Sequence, residues 1–137
     1  MGYFEYLPHT ADVRIRAVGS DLADLFDSAL KGLCEVIYSE PISNQKLTIK
    51  TKINLTSIDS SALIIDFLSE VLLLMYKNKA VFPDIQISKL ENNQITAELS
   101  GFHIDGFTED IKAVTYHDAE IITNKENQLE VVITLDI

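Results

Sequence analysis

The sequence predicts an α+β fold in which two helices pack on one face of a mostly antiparallel or mixed sheet of six to seven strands. Two long segments repeat apolar residues at helical spacing, and several shorter segments alternate apolar with polar residues and are joined by short polar turns. The 137 residues are the length of one ordinary domain. We therefore expect a single two-layer domain over residues 1–137.

The first third of the chain predicts a strand followed by a helix. Apolar residues between Val13 and Ala17 alternate with arginines, which indicates a half-buried strand that stops at Gly19. Asp21 is placed to cap the helix that follows, and apolar residues then recur every three or four positions as far as Ile37. This helix is amphipathic and is expected to lie on the sheet.

A second strand and a second helix come next. Odd-numbered apolar residues from Leu47 to Leu55 alternate with lysines and an asparagine, which predicts a strand with one solvated face. The segment from Ser60 to Tyr76 is apolar around most of its circumference, with Asp66, Ser69 and Glu70 forming one narrow polar stripe. A helix of this kind is largely buried.

The remaining segments predict strands. The run from Ile85 to Ile87 leads through the turn "ENNQ" into the run from Ile95 to Leu99, which is typical of a hairpin. The segment "IKAVTYHDAEII" is followed by the polar turn "NKENQ" and by an alternating strand from Leu129 to Leu135. These elements complete an α+β domain.

Charge and composition exclude several classes of protein. The chain has 11 basic and 21 acidic residues and a net charge of −10, so we expect no direct, tight binding to nucleic acid. An acidic surface suits a cation or a protein with a basic surface. No apolar stretch is long enough to span a membrane and no signal peptide is evident, so we expect a cytoplasmic protein. One cysteine, Cys34, excludes an internal disulfide.

Two aspartates lie at strand ends and outside the expected core. Asp12 shares the outer face of the first strand with Arg14, and Asp136 lies on the outer face of the last. If these ends are neighbours, two carboxylates meet beside the terminal carboxylate at Ile137, and they repel one another unless a cation joins them. Oxygen ligands favour Ca²⁺ or Mg²⁺, and flexible coordination favours Ca²⁺. Alternatively, Asp12 ends a turn and Asp136 belongs to a frayed terminus.

Other polar residues allow a second kind of site. His9, Asp12 and His117 together could bind Zn²⁺ or Fe²⁺, although His9 also suits a turn. Lys112 could anchor a phosphate or a carboxylate, or it could be a solvated strand residue. The chain lacks the glycine-rich nucleotide loops and the G-x-S-x-G motif of serine hydrolases, and no nucleophile is paired with a base.

Three segments, "HTAD" at 9–12, "IKAVTYHD" at 111–118 and the final "DI", resemble the archease family in this order and at these positions. The resemblance covers essentially the whole chain, including the helical segments around Leu25 and after Asp66. It implies an accessory protein of an RtcB-type tRNA-splicing ligase. Such a protein promotes the guanylation of the ligase by GTP, so that the ligase turns over repeatedly, and it is not a stand-alone enzyme.

The resemblance also implies functional residues. In that family the aspartate of the first motif and the terminal Asp-Ile are associated with a divalent cation, usually calcium, which by position implies Asp12, Asp136 and Ile137 as metal ligands. His9, Lys112 and His117 are the residues through which the chain is expected to contact the ligase.

Two features differ from the family pattern and leave alternatives open. Arg14 stands where a small residue is usual, so it could weaken a cation site or pair with Asp136, and the connection "GFHIDGFTED" before Ile111 is short. Three functions therefore remain. The chain could be a ligase activator with a metal, a small metal-dependent hydrolase that uses His9, Asp12 and His117, or a metal-free protein-binding module.

Overall fold

Within residues 2–7 and 12–137, which a computed structural model describes, the chain forms eight strands and two helices. In chain order the elements are β1 (Tyr3–Leu7), β2 (Val13–Gly19), α1 (Leu22–Ile37), β3 (Ile49–Thr56), α2 (Ser60–Asn78), β4 (Ala80–Glu91), β5 (Gln94–His103), β6 (Ala113–Thr115), β7 (Ile122–Thr123) and β8 (Leu129–Asp136). The α+β class predicted from the sequence is confirmed.

The strands form two antiparallel sheets, where the sequence predicted one. The first sheet has the order β1-β2-β8-β6, with β7 also paired to β8, and the second has the order β3-β5-β4. The alternation of apolar residues identifies strands but does not specify which strands pair, so the division into two sheets was not predictable from it. Strand β1 was also not predicted, because its aromatic side chains do not follow the pattern of a single buried face and both Tyr3 and Tyr6 are exposed.

Helix α1 packs between the two sheets. Its predicted N-cap is confirmed, since the Asp21 side chain accepts a hydrogen bond of 2.8 Å from the Asp24 N–H. The buried face of α1 contacts β2 of the first sheet and β4 of the second. There the Cys34 thiol lies 3.4 Å from the Phe82 carbonyl, and burial raises the pKa of Cys34 to about 12. Cys34 therefore packs as a small apolar residue.

Helix α2 is largely buried, as predicted, and extends two residues beyond Tyr76. It begins after Asp59, whose side chain caps the Ala62 N–H at 2.8 Å, and it ends at Lys79, which adopts the left-handed conformation with φ of 50°. The Phe67 ring packs 5.2 Å from the Phe26 ring and so joins the two helices inside the core. None of the helices described is long and apolar enough to cross a bilayer.

The first sheet is centred on the pair β2 and β8. Their register aligns Ile15 with Ile133 and Ala17 with Val131 on the buried face, which confirms the predicted alternation. On the opposite face the Arg16 guanidinium donates to Glu130 at 2.7 Å and to Glu5 at 3.3 Å. Because Arg16 links residues of β1, β2 and β8, it fixes the polar face of these strands in one register.

Candidate functional site

Both predicted aspartates lie at one end of the first sheet. The last pair of the β2–β8 register joins Val13 to Leu135, and Asp12 and Asp136 are the neighbours of these two residues along the chain, at the same end of the sheet. On the other side of β8, Ala113 of β6 is paired with Asp136, and the Lys112 N–H donates to the Asp136 carbonyl at 2.7 Å. We call this place, formed by Asp12, Lys112, Asp136 and Ile137, the aspartate end.

The donor atoms at the aspartate end fit a hard cation. Asp136 is exposed and Asp12 is half-buried, so the strand ends offer two carboxylates to one neighbourhood. Among the described residues there is no group of three or more histidine, cysteine, aspartate or glutamate side chains that could hold a metal ion. A cation here would therefore take its remaining ligands from main-chain oxygens, such as those of Ile137, or from water, which is common for Ca²⁺.

A cleft of about 520 Å³ adjoins the aspartate end. Asp12 lines this cleft together with Tyr6 of β1 and Glu35 of α1. Burial, together with the nearby Glu35 carboxylate, raises the pKa of Tyr6 above its ordinary value. Sequence reasoning missed Glu35, because a glutamate on the polar side of an amphipathic helix gives no signal of its own.

Lys112 is held in place through the residue before it. The Tyr76 hydroxyl of α2 donates to the Ile111 carbonyl at 2.9 Å and accepts from the Ile111 N–H at 2.7 Å. Burial raises the pKa of Tyr76, so the hydroxyl keeps its proton for this contact. The Lys112 side chain is exposed, and none of the ion pairs between described residues involves it. Its ammonium group is therefore free to meet an anion from outside.

The other end of β6 is also tied to α2. The Asp66 carboxylate accepts hydrogen bonds from the Tyr116 hydroxyl and from the Ser57 hydroxyl, the latter at 2.5 Å. The hydrogen bond to Asp66 raises the pKa of Tyr116 above its ordinary value. The sequence placed Asp66 on the polar stripe of this helix, and the structure gives its carboxylate two hydrogen-bond partners. Helix α2 thus holds the segment around β6 at both ends.

The structure does not bring His117 together with Asp12. Since Ala113 is the residue of β6 beside Asp136, His117 lies beyond the opposite end of this strand, in a turn where it is 78% exposed and 3.1 Å from the Asp118 carboxylate. His9, the third member of the predicted hydrolase site, lies outside the described residues. The described part of the chain therefore does not assemble that site.

The two departures from the family pattern also have defined positions. Arg14 is paired with Thr134 across the sheet and takes part in none of the ion pairs between described residues, so the expected pairing with Asp136 is not seen. The short connection before Ile111 is tied to the end of α1, because the Thr108 N–H donates to the Ile37 carbonyl at 2.8 Å.

Comparison with known proteins gives one consistent family. The model of the archease protein family matches residues 4–137. The archease of Methanosarcina barkeri is 35% identical over 128 residues, which are 86% of this chain and 85% of that protein. The solution structure of protein 1598 of Methanobacterium thermoautotrophicum has a TM-score of 0.76 at 24% identity and covers 98% of both chains. The crystal structure of an archease from Thermotoga maritima, described as a possible chaperone, has a TM-score of 0.65 at 19% identity and covers 97% of this chain and 96% of that one.

The contact between Tyr76 and Ile111 generates a test of how Lys112 is positioned. We expect Tyr76→Phe to lower the free energy of unfolding by about 1–3 kcal/mol, because the buried Ile111 main chain loses both a donor and an acceptor. Urea unfolding measures this loss. Tyr38→Phe is the matched control, since no hydrogen bond between described side chains uses the Tyr38 hydroxyl, and it should change stability by less than about 0.5 kcal/mol. Equal losses in the two variants would contradict the anchoring role of Tyr76.

Proposed function

Since this chain belongs to the archease family, we propose that it is an accessory protein that activates an RtcB-type tRNA-splicing ligase. It promotes the guanylation of the ligase by GTP, so that one ligase molecule joins RNA repeatedly, and it acts in the cytoplasm without a catalytic set of its own. The observation that carries the proposal is that Asp12, the last residue of "HTAD", and Lys112 of "IKAVTYHD" lie with Asp136 at one end of the first sheet.

The arrangement supports an activator more than an enzyme. The pairing of β8 with β2 and with β6 sets Asp12, Asp136 and the Lys112 main chain at the same end of the first sheet. None of the described groups there is a nucleophile hydrogen-bonded to a general base, which a self-sufficient hydrolase needs. Charges held in this way can complete or reshape the site of another protein.

We further propose that Asp12, Asp136 and the main chain at Ile137 hold a divalent cation, Ca²⁺. The oxygen-only donor set and the exposure of Asp136 support a hard ion with flexible coordination. When bound, the ion supplies a local positive charge that attracts phosphate or carboxylate oxygens. The two aspartates hold it in place, and the hydrogen bond from the Lys112 N–H to the Asp136 carbonyl fixes the backbone that carries one of them.

Lys112 is the second positive group of the proposed site. Its ammonium group lies on the residue that bonds to Asp136, and it meets a phosphate or carboxylate of the ligase as a point charge. Tyr76 positions it by binding Ile111. His117 is exposed in the turn beyond β6 and serves as a further contact with the ligase. We propose His9 as another contact, although it lies outside the residues that the structure describes.

The charge of the whole chain supports a protein partner. With a net charge of −10 the chain repels free RNA, so it is not expected to bind tRNA tightly by itself. The ligase must hold RNA on a basic surface, and an acidic protein is drawn to such a surface during diffusional encounter. The complex is therefore steered by charge and weakened by salt.

Activation of the ligase is the direct test of the proposal. We expect amounts of this protein well below the ligase concentration to accelerate guanylation of the RtcB-type ligase from the same organism, because an activator is released and used again. Transfer of radiolabelled GMP from GTP to the ligase measures the rate. A guanylation rate that does not change from far below to far above equimolar protein would overturn the proposal.

Replacing Lys112 tests the second positive group. We expect Lys112→Ala to fold normally and to lower the activation of guanylation by about tenfold or more, as the loss of a charge-assisted contact of about 1.5–3 kcal/mol does. Lys52→Ala, at an exposed lysine of the second sheet, is the matched control and should activate like the wild type. If both variants activate fully, Lys112 is only a solvated strand residue.

The cation proposal is tested without the ligase. We expect Ca²⁺ to stabilise the folded wild type by about 2.7 kcal/mol at an ion concentration 100 times the dissociation constant. This stabilisation raises its melting temperature. Asp12→Asn and Asp136→Asn should each weaken Ca²⁺ binding measured by calorimetric titration, since each removes one charge at nearly constant shape. Asp84→Asn removes the same charge from the second sheet and should bind Ca²⁺ like the wild type. Equal Ca²⁺ affinity in all four proteins would mean that the two aspartates hold no ion.

A further inference from the structure

A groove runs between α2 and β6, next to the aspartate end. It has a volume of about 360 Å³, at the lower end of the range for binding clefts. The residues that line it are Ser69, Leu72, Leu73, Tyr76, Lys112, Ala113 and Val114. Leu72 and Val114 are almost fully buried, at 6% and 7% exposure, and form an apolar floor. We call this feature the α2–β6 groove.

The rim of the groove carries an exposed leucine on the otherwise polar face of α2. Leu73 lies on the polar stripe of α2, one helical turn after Ser69 and Glu70, and it is 60% exposed. All three residues lie on the side of the helix that faces solvent. A large apolar side chain in this position contributes little to folding, because most of its surface stays exposed. That apolar surface can be buried by an external contact.

The groove is already formed in the free protein. At one end the Tyr76 hydroxyl is bonded to the Ile111 main chain, and at the other the Tyr116 hydroxyl is bonded to Asp66. Tyr76 follows Asp66 by ten positions in α2, which corresponds to about 15 Å along the helix axis. Because both aromatic side chains are fixed before a partner arrives, little conformational entropy is lost when the groove is filled.

The charge of the groove determines what it can accept. Lys112 lies at the Tyr76 end of the groove, and none of the ion pairs between described residues involves this lysine, although the chain has a net charge of −10. An apolar floor with one cation at its end is complementary to a peptide segment with an apolar side chain followed by a carboxylate. A phosphate backbone matches the cation but brings nothing apolar to cover Leu73, so a protein segment fits better than RNA.

We propose that the α2–β6 groove receives a segment of the partner ligase that places an apolar side chain against Leu73 and a carboxylate against Lys112. The inference rests on the proposed function, and it identifies a surface of this chain that binds the ligase. Lys112 lines the groove, and its N–H donates to the Asp136 carbonyl, so the groove adjoins the aspartate end through the main chain of Lys112. A second copy of this chain is a poorer occupant, since two chains of charge −10 repel one another.

The test compares two matched substitutions on exposed apolar residues. Leu73→Gln removes the apolar rim and retains a good helix former, whereas Ile58→Gln makes a similar change at an 85% exposed residue outside the groove. The affinity of each protein for the purified ligase of the same organism is measured by calorimetry, and its half-saturating concentration is measured in the guanylation assay. We expect Leu73→Gln to raise both values by about tenfold or more, as the loss of a central interface residue does, and Ile58→Gln to leave both unchanged.

The outcomes separate the groove from the proposed function. If the wild type activates the ligase and Leu73→Gln binds the ligase as tightly as the wild type does, the groove is not the docking surface, while the proposed function stands. If the wild type neither binds nor activates the ligase, the proposed function fails and the inference fails with it. A wild-type dimer in sedimentation that Leu73→Gln dissociates would assign the groove to a second copy of the chain and overturn the inference.

Discussion

The site depends on the pairing of β8 with β2 on one side and with β6 on the other. Antiparallel pairing fixes which residues are opposite one another, and a shift of one residue would turn every side chain to the other face. In the observed register the buried residues of β2 and β8 coincide, and the same register places Asp12, next to the start of β2, and Asp136, at the end of β8, at one end of the sheet. The hydrophobic core therefore specifies where these two strand ends lie, although neither carboxylate belongs to it.

Helix α2 adds a second constraint, because β6 is a short edge strand that pairs on one side with β8. Three residues of strand pairing give little stability by themselves. Tyr76 and Asp66 of α2 bind the chain just before and just after this strand, through Ile111 and Tyr116. The buried helix thus fixes the segment that carries Lys112, and it forms the α2–β6 groove as a consequence of the same contacts.

The sequence predicted the helices and most strands, because these follow from local periodicity. It did not predict the two sheets, since alternation does not name the partner of a strand. Tyr76 was only the predicted end of a helix, yet its hydroxyl anchors Ile111, and Asp66 was part of a polar stripe, yet its carboxylate binds a tyrosine 50 residues later in the chain. Contacts of this kind depend on tertiary structure, and neither Glu35 nor the groove beside Leu73 had a signal in the local pattern.

Under the proposed function an acidic activator faces a conflict of charge, because GTP and RNA, the substrates of the proposed partner ligase, are polyanions that a chain of charge −10 repels. At the aspartate end the acidic residues themselves can bring positive charge close to these polyanions. Two carboxylates hold a divalent cation under the proposed scheme, and Lys112 contributes a further positive charge from the neighbouring strand. The negative charge at this end is then offset, and under the same proposal the remaining acidic surface steers the protein towards the basic surface of the ligase. The net charge that disfavours RNA binding is therefore compatible with action close to phosphates, provided that the cation and Lys112 face them.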